Sequence, residues 1–453
     1  MNYIEKLIKE YNGLTYSIKT YGCQMNVNDS MKIKAVMQEC GFHFVESVYD
    51  SNIAIVNTCC VRENAENKVH GLVGNVKKLK QQGLNKVLIV LGCMTQQEGY
   101  ADEFMSQYSQ VDATLGTSDS AKLPSVIYNI LKNKQKSANL TDATKAIDES
   151  SISMRQYRTS EFVTIMTGCN NFCTYCIVPY VRGRERSRKP EDIINEIKDL
   201  LNQGTKEIVL LGQNVNSYGV GLDEDCDFSD LIWRITKETD VKRIRYMTSH
   251  PKDLSPKLID TIANNPIVSK HVHLPMQAGS TRILDEMNRR YTKDKYLKLV
   301  DDLKKAVPDI LITTDIIVGF PGETDEDFQD TLDVVRKVEY GSAFMFKYSR
   351  RTGTEAAIMG KQVDEKIKSE RLQELLKLQE QYTKKTASAF LDKIVSVLVE
   401  NDNAENRNII GKTSQNLPVA LETNEKIELG SIINVKVNQI KLHTLIGNIQ
   451  IES

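Results

Sequence analysis

Residues 162–176 read FVTIMTGCNNFCTYC, a short apolar run followed at once by three cysteines. The run is typical of a buried β-strand, and Cys169, Cys173 and Cys176 follow it in a C-x3-C-x2-C spacing. A loop this short can wrap three thiolates around one small inorganic group. An iron–sulfur cube uses thiolate ligands, normally one for each iron, so three cysteines leave one iron open to a substrate or cofactor.

Zinc is the alternative occupant of this loop, because three thiolates and a water also satisfy a zinc ion. Zinc sites more often use two separated C-x2-C pairs, and the sequence has no such arrangement. The spacing therefore favours an iron–sulfur cube and leaves zinc open.

The cysteine loop opens a long region in which apolar runs alternate with helix-like stretches, a pattern typical of parallel strands joined by helices. Six units are too few for a complete eight-fold barrel, so a six-unit partial barrel or an open parallel sheet is expected. Residues 364–388, rich in Glu, Lys, Gln and Leu, predict a long final helix. The predicted strands are Phe162–Met166, Glu207–Leu211, Arg243–Met247, His271–Leu274, Leu311–Ile317 and Ala343–Tyr348.

A second alternating region precedes the first and predicts a separate parallel α/β domain. Its predicted strands are Leu14–Lys19, Asn52–Val56, Lys86–Leu91 and Asp112–Leu115, with a helix over Asn64–Gln82. Cys23, Cys59 and Cys93 each follow one of the first three strands. Ligand sites of open parallel sheets lie beyond the carboxyl ends of the strands, so these three cysteines are expected to converge. Gly22 and Gly92 precede two of them and would let the backbone approach closely.

Two other interpretations of these cysteines remain open. They could be unrelated buried thiols, which are common among free cysteines. Cys60 adjoins Cys59 and could be the ligand in its place, since neighbouring side chains point in different directions. Cys40 and Cys226 show no such placement and are expected to be ordinary residues.

The remaining segments complete the domain organisation. Residues 136–158 are polar, lack a clear period and are expected to form a linker. Residues 389–453 carry β-rich runs at Ile394–Val399, Ile432–Val437 and Leu445–Ile451, which predict a small all-β barrel or sandwich. The predicted boundaries are 1–135 for the N-terminal α/β domain, 136–158 for the linker, 159–388 for the partial barrel and 389–453 for the β domain.

Composition limits the classes of function. The 453 residues include 59 Lys and Arg against 60 Asp and Glu, a net charge of −1, so a generally basic nucleic-acid binder is excluded. No apolar run approaches the roughly 18 residues that span a bilayer. The charged first residues do not form a signal peptide. We expect a cytosolic protein without a membrane segment, in which structural disulfides are rare.

Polar residues near the predicted strand ends are candidates for binding a cofactor or substrate. Asp315 to Glu323 ends the fifth barrel strand with a tight turn around Gly319, and Glu323 opens the next helix. Basic residues directly after the cysteine loop give a local charge of +4 and could contact phosphate. The other candidates are Gln213, Asn214, Gln277, Ser280, Arg350 and Arg351, and the basic residues are Arg182, Arg184, Arg186, Arg188 and Lys189.

The cysteine loop, with an aromatic residue (Tyr175) before its last cysteine, resembles the radical S-adenosylmethionine superfamily. The combination of this loop with the second cysteine set resembles the methylthiotransferase family of that superfamily. The resemblance covers nearly the whole chain. The resemblance favours its tRNA branch, which modifies N6-isopentenyladenosine. The matching segments are Tyr21–Asn26, Asn57–Cys59, Val61–Ala65, Ile165–Gly183, Gly212–Gly219, Ser249–Pro251 and His273–Gln277.

The resemblance implies two [4Fe–4S] clusters, with S-adenosylmethionine as methyl donor and radical source. It assigns Cys169, Cys173 and Cys176 to the radical cluster, and Cys23, Cys59 and Cys93 to the cluster that handles sulfur. It favours Cys59 over Cys60, because the family usually has a small residue other than Cys at the Cys60 position. Tyr175, Gln213, Asn214, Asp315, Gly319 and Glu323 become cofactor contacts. Asn26, Arg62, Gln277, Arg182, Arg184, Arg186 and Arg188 become RNA contacts.

The resemblance further implies a methylthio group added at C2 of N6-isopentenyladenosine 37 in the tRNA anticodon loop. It implies a C-terminal TRAM-like domain, a monomer, an electron donor and a sulfur or cluster carrier. Modification of threonylcarbamoyladenosine in tRNA, or of an Asp in a ribosomal protein, stays open within the family. A non-catalytic RNA-binding metalloprotein is the alternative from another class.

Overall fold

The computed structural model describes residues 2–60, 63–82, 86–140, 158–401, 409–421 and 427–450. The chain divides into two compact units, and the segment around the cysteine loop is shared between them. The first unit consists of Met1–Gln156, Thr167–Asn170 and Cys176–Glu185. The second consists of Tyr157–Met166, Asn171–Tyr175 and Arg186–Ser453.

The first unit is a parallel sheet with the strand order β2–β1–β3–β4–β5–β6. The strands are β1 (Thr15–Thr20), β2 (His43–Phe44), β3 (Ile53–Thr58), β4 (Val87–Gly92), β5 (Ala113–Leu115) and β6 (Ser137–Asn139). The helices are α1 (Tyr3–Tyr11), α2 (Gln24–Glu39), α3 (Glu63–Gln81), α4 (Tyr100–Gln107), α5 (Leu123–Asn133) and α6 (Val178–Val181).

Helices cover both faces of this sheet. Every residue of β3 and β4 is buried, as expected for a parallel sheet with helices on both sides. Alternate side chains enter two separate cores. Ile53 and Ile55 pack in the core with residues of α1, α2 and α5, such as Leu7 and Ile33. Ala54 and Val56 pack in the core formed with α3 and α4.

The four predicted strands of this unit are present within one or two residues of the predicted bounds. β2 and β6 were not predicted from the sequence. β6 lies in the segment that was expected to be a linker. Its three residues, Ser137–Asn139, show no strand pattern of their own and gain strand geometry by pairing with β5 at the sheet edge. The rest of the predicted linker, residues 141–157, lies outside the described residues.

The second unit contains parallel strands in two groups, β11–β10–β7 and β12–β13–β14. A parallel bridge between Ile244 and Val268 connects the two groups, which confirms the predicted partial barrel. Its strands are β7 (Ser160–Thr164), β10 (Glu207–Leu211), β11 (Arg243–Tyr246), β12 (His271–His273), β13 (Leu311–Val318) and β14 (Ser342–Lys347), and the two-residue strands β8 (Met166–Thr167) and β9 (Arg186–Ser187) lie between β7 and β10 in the chain. Its helices are α7 (Pro190–Asn202), α8 (Phe228–Glu238), α9 (Pro256–Asn264), α10 (Thr281–Glu286), α11 (Lys293–Ala306), α12 (Asp325–Val338), α13 (Glu355–Ile358) and α14 (Glu365–Ser388).

Local capping fixes where several of these helices begin. Ser255 caps α9, whose first residue is Pro256, and Thr292 caps α11. Thr324 and Asp327 form a capping box at the start of α12. No helix in the described residues is both long and apolar enough to cross a membrane.

The C-terminal β region is a closed barrel with the order β15–β16–β17–β19–β18. Its strands are β15 (Ile394–Val399), β16 (Ile409–Thr413), β17 (Pro418–Leu421), β18 (Ile432–Lys441) and β19 (Thr444–Ile449). The barrel, and not the sandwich, is therefore the correct alternative. Leu311 of β13 packs in its core, and Arg243 Nη1 donates to the Lys412 carbonyl at 3.0 Å. These contacts attach the β barrel at the amino ends of β11 and β13, leaving their carboxyl ends to the candidate site.

Candidate functional site

Cys23, Cys59 and Cys93 lie at the same end of three neighbouring strands. Cys59 and Cys93 follow β3 and β4 directly, and Cys23 caps α2 just after β1. The strand registers place Thr20 beside Asn57 and Thr58 beside Gly92. The structure thus brings the three cysteines to one edge of the sheet, and none of them forms a disulfide within the described residues.

A buried asparagine pair connects these strand ends. Asn26 Nδ2 donates to Asn57 Oδ1 at 3.1 Å and to the Thr58 carbonyl at 3.0 Å. Asn26 Oδ1 accepts from the main-chain N–H and the thiol of Cys23, both at 3.3 Å. Asn26 was expected to contact RNA, but it is fully buried. Its side chain instead positions the first cysteine against the strand that leads to the second.

The glycines before Cys23 and Cys93 are required by this packing. A Cβ on Gly22 would lie 2.3 Å from Asn26 Oδ1. Gly92 has φ +113°, and a Cβ there would lie 2.5 Å from the Thr58 carbonyl oxygen and 2.7 Å from Asn57 Oδ1. A side chain on Gly22 would therefore clash with Asn26, and one on Gly92 would clash with Asn57 and the Thr58 main chain.

Cys60 and Arg182 set the charge around Cys93. A hydrogen bond to Cys93, together with burial, raises the pKa of Cys60 well above its usual value. The same hydrogen bond and the positive charge of Arg182 lower the pKa of Cys93, although burial opposes this. The hydrogen bond and the guanidinium thus favour the charged form of Cys93 over that of Cys60.

Arg182 lies inside the first unit, where its guanidinium forms an ion pair with Asp29 at 2.8 Å. Ile177 and Val181 hold its segment in place by packing with α3 and α4. Val181 also accepts a hydrogen bond from Thr117 Oγ1 at 3.1 Å. Arg182 was expected to contact RNA phosphate, but only 7% of its side chain is exposed. It supplies positive charge beside the cysteines.

The second cysteine set belongs to the loop that follows β7 and β8. Cys169 and Cys176 are half-buried, and their segments group with the first unit; Cys173 is buried and groups with the second. Arg289 Nη1 lies 3.5 Å from Cys173 Sγ and 3.5 Å from the hydroxyl of Tyr175. Cys173 thus has a cation beside it, as Cys93 does.

Polar atoms without partners collect where β10 and β11 end. Several buried atoms have no hydrogen-bond partner among the residues that the structure describes: Gln213 Oε1, Asn214 Oδ1, both side-chain polar atoms of Asn216, and Ser249 Oγ. Buried polar groups in native proteins are normally hydrogen-bonded. Such a cluster at the carboxyl ends of parallel strands is therefore typical of a site for a polar ligand.

The two loops that carry these atoms are connected by hydrogen bonds. Val215 N donates to the Thr248 carbonyl at 3.1 Å, and Asn214 Nδ2 donates to Asp253 Oδ2 at 2.7 Å. Thr248 has φ +69°, a costly conformation for a β-branched residue. Strained residues cluster at functional sites, where the surrounding structure holds them.

The turn after β13 is stabilised from within. Gly319 has φ +73°, and a Cβ there would lie 2.3 Å from Lys368 Cγ. Gly319 N donates to Glu323 Oε2 at 2.5 Å, and Arg371 Nη1 lies 2.7 Å from the same oxygen. Burial raises the pKa of Glu323 to about 7 despite these donors. The Glu323 side chain thus stabilises the turn through its contacts with Gly319 and Arg371.

The remaining predicted contacts are placed as follows. Asp315 Oδ2 lies 3.5 Å from His273 Nε2 and keeps 31% of its side chain exposed. Gln277 is buried, with φ +67°, and its main chain bridges to β13. Ser280 caps α10 and donates to Asp327 at 2.6 Å. Arg350 is exposed and Arg351 is half-buried.

The basic segment is not the continuous surface patch that its sequence indicates. Arg188 Nη1 donates to the Thr164 carbonyl at 2.6 Å and to Glu196 at 2.7 Å, and Arg186 is half-buried. Arg184 and Lys189 are exposed. Arg62, also expected to contact RNA, lies outside the described residues.

Both cysteine sets suit a thiolate-bound cluster by the chemistry of their donors. Each places a cysteine beside a buried guanidinium, Cys93 with Arg182 and Cys173 with Arg289. Among the described residues, no three His, Cys, Asp or Glu side chains form a group suited to hold one metal ion. Sequence reasoning gave no role to Asn57 or Arg289. The signals for Asn57 were its place in the matching segment Asn57–Cys59 and a polar side chain at the end of an otherwise apolar strand.

The chain is similar to known proteins over nearly its whole length. Residues 163–335 match the Radical SAM superfamily, and residues 15–116 match the uncharacterized protein family UPF0004. A tRNA-2-methylthio-N(6)-dimethylallyladenosine synthase from Acetivibrio thermocellus is 46% identical, covering 99% of this chain and 93% of the relative. The protein of the same name from Thermoanaerobacter pseudethanolicus is 44% identical, covering 98% of this chain and 96% of the relative.

Solved structures show the same fold at low identity. The radical S-adenosylmethionine methyltransferase TsrM from Kitasatospora setae is 12% identical with a TM-score of 0.57, covering 76% of this chain and 75% of that one. The cobalamin-dependent S-adenosylmethionine radical enzyme OxsB is 10% identical with a TM-score of 0.51, covering 84% of this chain and 57% of that one. These similarities establish the fold alone.

Proposed function

The chain belongs to the tRNA-2-methylthio-N(6)-dimethylallyladenosine synthase family, and we propose that it adds a methylthio group at C2 of N6-isopentenyladenosine (the N6-dimethylallyladenosine of that name) at position 37 of tRNA. The observation that carries this proposal is the pairing of two cysteine sets in one chain. One follows the first strand of a partial barrel, and the other lies at the strand ends of a parallel sheet. The relatives are 44% and 46% identical to this chain over nearly its full length, and this similarity supports the same activity.

The chemistry of the target explains why a radical is needed. The C2–H of adenine has no useful acidity, so a side chain acting as acid or base cannot remove that hydrogen. A [4Fe–4S] cluster with S-adenosylmethionine bound supplies a 5′-deoxyadenosyl radical, which abstracts hydrogen without requiring acidity. Cys169, Cys173 and Cys176 would hold that cluster, because their spacing leaves one iron for the cofactor.

Residues at the ends of β10 and β11 would bind the polar part of the cofactor. Gln213, Asn214 and Asn216 present buried polar atoms that await partners. The hydrogen bonds between their loop and the Thr248 loop hold these atoms in place before any ligand arrives. Pre-organised polar groups bind without a further ordering cost.

Cys23, Cys59 and Cys93 would hold the cluster that handles sulfur. Asn26, Asn57 and Gly92 place these cysteines, and Cys60 hydrogen-bonds to Cys93 without being required as a ligand. This division assigns radical generation to one set and sulfur delivery to the other.

The partners follow from this function. The relatives' names indicate a tRNA substrate, and a single-stranded anticodon loop can present a base to a pocket. We further propose a cytoplasmic monomer that uses an external electron donor and a sulfur or cluster carrier. The relatives' names favour the isopentenyl substrate over threonylcarbamoyladenosine and a ribosomal-protein Asp, and an enzyme over a non-catalytic metalloprotein.

Mass spectrometry of tRNA nucleosides from a deletion strain tests the proposal. The strain should accumulate N6-isopentenyladenosine without its methylthio derivative, and restoring the gene should restore the derivative. An unchanged methylthio nucleoside in the deletion strain, with loss of a different modification, would overturn it. Iron and sulfide analysis of anaerobically purified protein separates the enzyme from a zinc module: about eight irons support two cubes.

A further inference from the structure

Arg289 is a buried arginine on the turn that follows α10, with 4% of its surface exposed. Its Nη1 lies 3.5 Å from Cys173 Sγ and 3.5 Å from the Tyr175 hydroxyl. Nε donates to the Tyr291 hydroxyl at 3.2 Å, and Nη2 donates to the Pro275 carbonyl at 3.0 Å. The guanidinium is therefore held on every edge, with one edge directed at a cysteine of the C-x3-C-x2-C loop.

The turn that carries Arg289 also forms hydrogen bonds with the cysteine loop on both sides of Cys173. Asn288 Nδ2 donates to the Phe172 carbonyl at 2.9 Å. Thr174 N donates to the Met287 carbonyl at 3.2 Å, and Thr174 Oγ1 donates to the Glu286 carbonyl at 2.9 Å. These bonds fix the distance between the guanidinium and the sulfur.

The backbone of the turn is unusual and is shaped around Arg289. Asn288 and Arg290 both adopt left-handed conformations, with φ +57° and +58°. Residues other than glycine rarely do so, and each costs roughly 1 kcal/mol or more. The two residues that flank Arg289 therefore accept strain while Arg289 points inward.

No carboxylate among the described residues is hydrogen-bonded to the Arg289 guanidinium. Every hydrogen-bond partner of its side chain, in the part of the chain that the structure describes, is a neutral oxygen or the Cys173 sulfur. A buried charge is costly unless it is paired. Of the groups in contact, Cys173 is the one that would carry negative charge as a thiolate ligand of a bound cluster. That cluster would supply the counter-charge that this arginine requires.

We propose that Arg289 is a positioning residue that holds the Cys173 thiolate and compensates the negative charge of the cluster bound there. This inference rests on the proposed function for the presence of that cluster. One-electron reduction of the cluster adds one negative charge and no proton. A fixed cation beside a ligand sulfur favours the reduced form, since hydrogen bonds to the sulfurs and net charge set cluster potentials.

The test is the midpoint potential of the barrel cluster, followed by electron paramagnetic resonance during an anaerobic dithionite titration. The Cys23→Ala/Cys59→Ala/Cys93→Ala background leaves only that cluster to give a signal. Arg289→Gln should keep its iron but show a more negative midpoint, so that a smaller fraction is reduced at a fixed potential. Arg289→Lys retains the charge and should shift the midpoint less.

Arg290→Gln is the matched control, because it removes the same charge one residue away. Arg290 is exposed, and its Nε lies 3.4 Å from Asn288 Oδ1. The midpoint potential of the barrel cluster in Arg290→Gln should equal that of the background protein. An Arg289→Gln midpoint equal to that of Arg290→Gln would overturn the proposal. If Arg289→Gln loses iron, the midpoint potential is measured in Tyr291→Phe instead, because this variant removes one hydrogen-bond acceptor of the guanidinium. A midpoint potential unchanged by Tyr291→Phe would also overturn the proposal.

The result is separable from the proposed function. Wild-type protein without iron and sulfide would contradict the function itself. Wild-type protein that carries clusters and makes the methylthio nucleoside, with no shift in Arg289→Gln, would contradict only the role of Arg289.

Discussion

Asn26 and Asn57 hydrogen-bond to each other in both directions at the edge of the N-terminal sheet. Asn26 Nδ2 donates to Asn57 Oδ1 at 3.1 Å, and Asn57 Nδ2 donates to the Asn26 carbonyl at 2.8 Å. Both residues are fully buried. The pair connects the turn that carries Cys23 to the strand that leads to Cys59, so the geometry of the first cysteine set depends on side chains that are not themselves ligands.

Asn57→Ala should therefore reduce both stability and cluster content. The substitution removes both hydrogen bonds between Asn57 and Asn26 in a buried site and leaves Asn26 Nδ2 only the Thr58 carbonyl, which costs about 1–3 kcal/mol. The free energy of unfolding in urea and the iron content after reconstitution measure the two effects. Ser17→Ala is the control, because Ser17 is buried on β1 and bonds to Ser51 at 2.9 Å without touching the cysteines. It should lower stability and retain iron; iron loss in both variants to the same degree would refute a specific role for Asn57.

Gly92→Ala should be more damaging than a substitution at another glycine with positive φ. The new Cβ would lie 2.5 Å from the Thr58 carbonyl oxygen, so strain and overpacking together predict a loss of roughly 2–5 kcal/mol. Gly99→Ala is the matched control, since Gly99 has φ +71° but no atom within 4 Å of the added Cβ. Equal destabilisation of the two variants in urea would show that the close approach at Gly92 is unimportant.

The Cys23→Ala/Cys59→Ala/Cys93→Ala protein should separate the two cysteine sets. It should still cleave S-adenosylmethionine to 5′-deoxyadenosine, because Cys169, Cys173 and Cys176 remain, but it should make no methylthio nucleoside. Its iron content should fall by about half, from two four-iron cubes to one. Both products are measured on one sample by mass spectrometry. Normal methylthiolation would mean that the N-terminal cysteines are only structural.

The converse holds for the barrel loop. Cys173→Ala should abolish formation of 5′-deoxyadenosine, since it removes one thiolate of the radical cluster. Cys226→Ala is the control, because Cys226 belongs to neither cysteine set and is buried among the side chains of the barrel core. Undiminished 5′-deoxyadenosine from Cys173→Ala would sink the assignment of this loop.

Glu323 gives a pH dependence whose sign follows from its pKa. Burial raises this pKa from 4.5 to about 7, so the folded protein holds the proton more tightly than the unfolded chain. The resulting stabilisation is complete below about pH 4.5 and is lost as the pH rises through 7. Glu323→Gln has no such proton, so the stability of the wild type relative to this variant should fall by about 1 kcal/mol between pH 6 and pH 8. Thermal melts at the two pH values measure the difference. A constant difference would mean that the ion pair with Arg371 keeps Glu323 ionised throughout.

The two exposed cations of the basic segment, Arg184 and Lys189, should contribute to tRNA binding. Replacing both with Gln should weaken the affinity and reduce the slope of log K against log salt by roughly 1–2. Arg188→Gln serves as comparison, because its guanidinium is engaged by Thr164 and Glu196. It should lower stability while leaving the salt slope unchanged. An unaltered slope in the double variant would exclude this segment from the RNA interface.

The sequence alone determined the order of strands and helices and the positions of both cysteine sets. Apolar runs, helical periods and the spacing from Cys169 to Cys176 are local features. They can be recognised in the sequence without knowledge of the fold. The partial barrel was predictable because its strands alternate with helix-length segments, although β14 is largely exposed and β11 and β12 contain Arg and His. β2 and β6 were not, since two or three residues have no period and become strands only by pairing at a sheet edge.

The roles of individual polar residues were decided by the tertiary structure. Arg182 stands in a basic run that indicates phosphate binding, yet its partner Asp29 is more than 150 positions away and draws it into the protein. Arg289 stands more than 110 positions from Cys173. The sequence specifies the type of each charged residue, but the function of that residue depends on which group of opposite charge the fold brings within about 4 Å. Coulomb attraction is strong only at short range in a site that excludes water.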